Sequence, residues 1–204
     1  MSITFHTVAP EDALDPRLRA DLLDTWVGVT NAGGAVGFTA PAPVAAVERT
    51  LDAVLARVAD GKDALGVLRG PHTTVGMGLL VNRDSDVCRH WRTVLRVMVH
   101  PRHQGAGAGV DLMRGLHQLA RELGLEQLQL TVRDGHGLER FYERLGYAVV
   151  GRHPGAVRVA PGDDRDEVML VASLGEAVES VPAAAVAASA DTASMSQPRT
   201  NSTF

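Results

Sequence analysis

The chain has 204 residues, of which 45% are hydrophobic and 22% charged, values of a globular protein long enough for one core but not comfortably for two. A formal net charge of -4 argues against a general nucleic-acid binder, whose grip comes from clustered Lys and Arg on phosphates, and no apolar run approaches the roughly 18 residues of a membrane span. One cysteine, Cys88, excludes an internal disulfide and has no CxxC partner for a metal, which fits a reducing compartment.

The opening ITFHTVAP alternates apolar and polar residues with no basic segment before it. It reads as a first strand rather than a secretory signal, and a cytoplasmic location is expected. Asp15 and Pro16 form an N-cap and first-turn pair, after which Leu18, Leu22, Trp26 and Val29 repeat at helical spacing to about Val29. The glycine-rich NAGGAVGFTAPAP breaks this helix. Val44, Val47, Leu51, Val54, Leu55 and Val58 then mark a second amphipathic helix ending near Gly61. ALGVLRG and TTVGMGLLV, joined at Gly70 and Pro71, read as a hairpin. After the polar loop NRDSDVCRH comes the apolar strand TVLRVMV, which Pro101 stops because it lacks the N–H a ladder requires.

The next stretch, HPRHQGAGAG from His100 to Gly109, leads into a helix starting near Gly107. Leu112, Met113, Leu116, Leu119, Ala120 and Leu123 line that helix, and Gly124 ends it. EQLQLTVR follows as a strand with one buried face, formed by Leu128, Leu130 and Val132. A short helix turns Leu138, Phe141 and Leu145 inward and stops at Gly146. Two last strands, YAVVGR and EVMLVASL, flank a turn-rich HPGAVRVAPGDDRD. The order β-α-α-β-β-β-α-β-α-β-β predicts an α/β fold with mixed, mostly antiparallel pairing, about seven strands and about four helices. Residues 1–174 make the folded domain. From about Gly175 the composition turns to Ala, Ser, Thr, Val and Pro without leucine, which predicts a disordered tail over 175–204.

QGAGAG sits between a buried strand and a helix N-terminus, where unpaired N–H groups and the positive end of the macrodipole suit a pyrophosphate. An ordinary tight turn has the same composition. A nucleoside triphosphate loop needs Lys and then Ser or Thr after its last glycine, and Val110 and Asp111 stand there instead. Dinucleotide frames starting at Gly105 or Gly107 fail at Val110 and Leu112.

The strand LRVMVHP, the frame Q/R-x-x-G-x-G/A at Gln104, Gly107 and Gly109, and FYERLGY some 30 residues later together resemble the GCN5-related N-acetyltransferase (GNAT) family. VGFTAP and HPG look most like its tabtoxin-resistance type, although Ala156 stands where that type tends to have an aromatic residue. The resemblance spans roughly Ile3 to Leu174. It implies a sheet that splays between its fourth and fifth strands, with acetyl-CoA wedged into the opening. Main-chain groups of Val97, Met98 and Val99 would pair with the pantetheine arm, and N–H groups of Gln104, Gly105, Ala106, Gly107, Ala108 and Gly109 would hold the pyrophosphate.

The activity so implied is transfer of an acetyl group from acetyl-CoA to a primary amine of a small molecule: an amino-acid-like toxin, an antibiotic or a metabolite. No metal, nucleic acid or membrane partner is expected, and the chain is a monomer or a homodimer. Tyr142 matches the tyrosine that faces the departing sulfur in the family; packing of its ring beside Phe141 is the alternative role. A general base is not identified. Thr93 occupies the position where relatives have an acidic residue, Gly135 replaces an asparagine, and Asp134, His136, His90 and Asp86 are candidates by residue type alone. The acceptor site is expected opposite the cofactor, between the segment around Phe38 and the last hairpin. A catalytically impaired CoA-binding sensor or partner module is the competing function, which these departures at Thr93 and Gly135 would permit.

Overall fold

In the computed structural model, which describes residues 3–34, 36–135 and 137–175, the first helix forms where its capping residues predict. The Asp15 carboxylate accepts a hydrogen bond from the Arg17 N–H at 2.7 Å. Pro16 fills the first helical position, where no intrahelical N–H bond is lost. Helix α1 runs Pro16–Asn31, two residues beyond the expected end, and α2 runs Val44–Ala59. Their predicted stripes meet in one core, where Leu22, Trp26, Val47, Leu51 and Leu55 are almost entirely buried. Beyond Gly175, the tail expected from the composition lies outside the described residues.

Seven strands form one sheet: β1 Thr4–Thr7, β2 Ala64–Arg69, β3 Thr74–Val81, β4 Trp91–Val99, β5 Gln127–Arg133, β6 Ala148–Ala160 and β7 Asp163–Ser173. Their spatial order is β1-β2-β3-β4-β5-β7-β6, and only the β4–β5 pair is parallel. This is the expected mixed sheet. Helices α1 and α2 share the core of one face; α3, Ala108–Glu122, and Tyr142 of α4, Leu138–Glu143, belong to the core of the other. Small residues let α3 approach closely. A Leu116 methyl group lies 2.5 Å from where a Cβ on Gly78 would stand, so this glycine is needed for space, not for backbone freedom.

Two expectations about the C-terminal part are corrected. HPGAVRV is not turn-rich connection but strand, and the turn between β6 and β7 shrinks to Pro161 and Gly162. Strand β6 is an edge, where proline and glycine are tolerated, and shifts in register between Val149/Gly151, His153/Val157 and Arg158/Ala160 absorb them as bulges. Leu138 of α4 does not point inward: it is exposed, Phe141 and Leu145 are half-buried, and Tyr142 is the buried residue. A six-residue helix makes under two turns, so its apolar spacing fits more than one face.

Candidate active site

Strands β4 and β5 pair at only three positions, Trp91↔Gln127, Arg92↔Leu128 and Thr93↔Gln129. The Thr93 hydroxyl donates to Gln129 Oε1 at 3.1 Å and ties this last rung, so Thr93 closes the split rather than offering a base. Beyond it β4 stays with β3 and β5 stays with β7. The diverging edges leave a cleft of about 800 Å³, with Val94, Leu95, Arg96 and Val97 on one wall and Leu130, Thr131, Val132 and Arg133 on the other. Strand edges that part in this way hold main-chain groups a bound ligand can pair with.

A bulge shapes the first wall. The β3–β4 register passes from Met77↔Met98 to Leu79↔Leu95, so Arg96 and Val97 together oppose Gly78. Arg96 has φ 55°, a left-handed conformation that costs a non-glycine residue on the order of 1–3 kcal/mol. The extra residue reverses the alternation of the strand. Val94, Val97 and Val99 face the α3 core, while Leu95 and Met98 face the α1 core. Of the three residues expected along the pantetheine arm, Val97 lines the cleft, whereas Met98 and Val99 are buried and paired with β3.

At the end of β4 a single 3₁₀ turn, Pro101–His103, leads to the glycine-rich loop. Gly105 and Gly107 have φ 84° and 87°, which is why glycine is required there. Gly107 caps α3 without any side-chain bond. Val110 and Asp111 donate to the Gly107 carbonyl at 2.8 and 3.1 Å, but the N–H groups of Gly105, Ala106, Gly107, Ala108 and Gly109 meet no acceptor among the described residues. Five consecutive donors at the N-terminus of a 15-residue helix fit a pyrophosphate. Gln104 serves the frame instead: its N–H closes the 3₁₀ turn on Pro101 at 3.4 Å, and its Nε2 holds the Val99 carbonyl at 2.7 Å.

Tyr142 lines the same cleft from α4. Its ring stands edge-on to Phe141 and Tyr147, at 5.0 and 5.6 Å between centroids. The Tyr147 hydroxyl pairs with His117 Nε2 at 3.1 Å, but that of Tyr142 makes no hydrogen bond to a described residue. Burial pushes the Tyr142 phenol up to about 12, because a phenolate would be poorly solvated there. Both roles weighed from the sequence are therefore compatible: the ring packs beside Phe141 while the hydroxyl is unengaged.

The base candidates chosen by type fare differently. Asp134 is engaged with the main chain of β7, accepting from the Asp166 N–H at 3.2 Å. Asp86 and His90 precede β4 at the closed end of the split, where the His90 carbonyl accepts from the Glu126 N–H. His136 lies outside the described residues. The carboxylate that does line the cleft is Glu167 of β7, which forms no ion pair among the described residues. In the sequence it is one of several acids in DDRDE. Only strand alternation marks it: Val168, Leu170 and Ala172 enter the α3 core, which turns Glu167 to the opposite face.

The cleft therefore runs through the sheet. Val97, Leu130, Val132 and Tyr142 line it on the α3 side, and Arg96, Thr131, Arg133 and Glu167 on the α1 side. The Arg133 guanidinium donates to the Gly33 carbonyl at 2.6 Å. A second cleft of about 570 Å³ lies between Gly37–Pro43 and Val157–Val159 and includes Phe38, at the place expected for the acceptor. The Phe38 ring also tilts against Trp26 at 6.0 Å, so it anchors its loop and lines the cleft together. Among the described residues no three His, Cys, Asp or Glu side chains gather as metal ligands, and no helix is long and apolar enough to cross a membrane.

The family model described as Acetyltransferase (GNAT) family matches residues 36–147. Among solved structures, the chain is similar to yncA of Salmonella typhimurium with its cofactor acetyl-CoA, at 19% identity and a TM-score of 0.66, covering 89% of this chain and 99% of that one. It is also similar to an aminoglycoside 6'-acetyltransferase type Ii, at 16% identity and 0.64 over 87% and 99%. A third is the ribosomal-protein-S18-alanine N-acetyltransferase of Escherichia coli, at 15% identity and 0.62 over 88% and 99%. No protein of curated function matches by sequence. The fold is thus that of acetyltransferases whose named acceptors differ widely.

Proposed function

The chain belongs to the GNAT family of acetyltransferases, and from that premise we propose that it transfers an acetyl group from acetyl-CoA to a primary amine of a small molecule. The observation that carries the reading is the row of five unengaged N–H donors from Gly105 to Gly109, adjoining a split sheet whose wall includes Tyr142. These donors and the α3 dipole hold the pyrophosphate, and the free edge of β4 at Val97, continued by Met98 and Val99, follows the pantetheine arm. The tabtoxin-resistance type remains the finer assignment in this reading, as do a cytoplasmic location and a monomer or homodimer. Residues 1–174 then make the acetyl-CoA-binding domain and 175–204 an accessory tail.

Acetyl-CoA, when bound, supplies a thioester carbonyl open to an uncharged amine, with a thiol as leaving group. The chain supplies three aids. Glu167 takes the proton that the acceptor ammonium must lose before attack. The main chain at the Arg96–Val97 bulge, free of a β3 partner, donates to the carbonyl oxygen as negative charge grows on it. Tyr142 keeps its proton throughout the physiological range and donates it in a hydrogen bond to the departing sulfur. The loop and hairpin around the two clefts support an acceptor of small size, since fold alone does not select one.

A thiol-release assay with acetyl-CoA over a panel of small amines tests the proposal. Turnover is the expected result. Acetyl-CoA binding without turnover on any amine would favour the sensor or partner module, and absence of binding would refute both.

A further inference from the structure

We infer that the acceptor amine carries a carboxylate, which the Arg96 guanidinium binds on the α1 side of the split sheet. The inference rests on the acetyl-transfer reading and names its acceptor class. Arg96 lies mid-way along the open part of β4, half-buried in the cleft wall. Its guanidinium carbon stands 4.9 Å from the centroid of the Trp26 ring. Gly37 also approaches it closely: a Cβ there would come within 2.8 Å of both Nη atoms. The planar group thus packs against both an indole and a glycine that has no side chain to displace it.

What it lacks is an anion. Arg19, Arg57, Arg152 and Arg158 each meet a carboxylate within 2.6 Å, and Arg133 on the opposite wall is engaged with Gly33. Arg96 has no carboxylate within ion-pair distance among the described residues and no hydrogen-bond acceptor from them. Burial lowers its hold on the proton with no opposing charge to offset the effect. A half-buried cation without a counter-charge is unfavourable, and the same residue carries the left-handed backbone of the bulge. Two unfavourable terms at one residue in a cleft point to a ligand that relieves them.

The fork of a guanidinium matches the two oxygens of a carboxylate, and stacking on Trp26 fixes the plane in which they are met. Glu167 stands on the same side of the sheet. One cation and one anion facing the same side of the sheet across the split suit a molecule bearing both an ammonium and a carboxylate, with the ammonium toward Glu167 and the carboxylate at Arg96.

The test compares amino acids with their own carboxamides as acceptors, by kcat/KM, in wild type and in Arg96→Gln, with Arg96→Lys as a second variant that keeps charge but loses the fork. Wild type is expected to prefer the carboxylates at least about tenfold, and Arg96→Gln to bring that ratio close to one, with Lys between them. Equal use of both acceptors by wild type, or an unchanged ratio in Arg96→Gln, would overturn the inference while leaving acetyl transfer intact. If no amine is turned over, the acetyl-transfer reading fails separately. The melting temperature with CoA and an N-acetyl amino acid then decides: a rise over CoA alone in wild type that Arg96→Gln loses supports the site, and no rise overturns it. A retained acetyl-CoA-dependent rise shows that each variant is folded.

Discussion

Replacing Tyr142 by Phe removes one hydroxyl from the cleft and leaves the ring in place against Phe141 and Tyr147. The phenol is pushed up to about 12, whereas an ordinary thiol ionises near about 8.5, so complete proton transfer to a departing thiolate is uphill by roughly 3.5 pH units, or about 5 kcal/mol. In the proposed role the hydroxyl is therefore a hydrogen-bond donor that shares its proton. A hydrogen bond to a charged group is worth about 1.5–3 kcal/mol, which predicts a fall in kcat of roughly 10- to 150-fold. Because the hydroxyl bonds to no described residue, its loss strands no partner, and stability should change by no more than about 0.5 kcal/mol. Steady-state kinetics and the acetyl-CoA-dependent melting shift measure the two quantities. An unchanged kcat, or an effect confined to KM, would refute the role given to Tyr142. The pH dependence has a definite sign: a raised phenol pKa favours the protonated form in the fold, so the donor persists as pH rises past 10 and is lost only near about 12. A decline in kcat near pH 10 that Tyr142→Phe abolishes would contradict its buried setting.

Acetyl-CoA should raise the melting temperature while NADH does not, and Gly107→Glu should abolish the shift, since it places a side chain and a like charge at a residue with φ 87°; an undiminished shift would remove the loop from the pyrophosphate site. Glu167→Gln should lower kcat by about 10²- to 10⁴-fold with the shift retained, and near-normal turnover would show that the base lies elsewhere. Gly78→Ala should destabilise by about 1–3 kcal/mol in denaturant unfolding, because its Cβ would stand 2.5 Å from Leu116; a neutral result would mean that α3 can shift freely. Truncation after Gly175 should leave kcat and melting temperature nearly unchanged, and loss of either would give the tail a place in the domain.

The element order, the two faces of the core and the loop at the start of α3 are legible in the residues alone. These follow from local rules: a cap at Asp15, apolar stripes such as Leu112 to Leu123, and glycines at Gly105 and Gly107 that later prove to need positive φ. Tyr142 was legible only through the family resemblance carried by FYERLGY, and the apolar pattern of its short helix misplaced Leu138. Local rules also read HPGAVRV as turn, because proline and glycine deny a ladder in isolation. At the edge of a sheet that denial is harmless, and being an edge is a property of the strand order. Glu167 and Arg96 were invisible for a related reason. An acid among several acids and an arginine among many carry no positional signal until strands β4 and β5 part, the bulge opposite Gly78 turns one side chain, and alternation along β7 turns the other. Chain-local chemistry thus sets which elements form and where the unengaged N–H groups at the start of α3 gather. Which charges face the same side of the cleft, and which of them lack a partner, emerges only when the sheet assembles, because both depend on contacts between residues far apart in the chain.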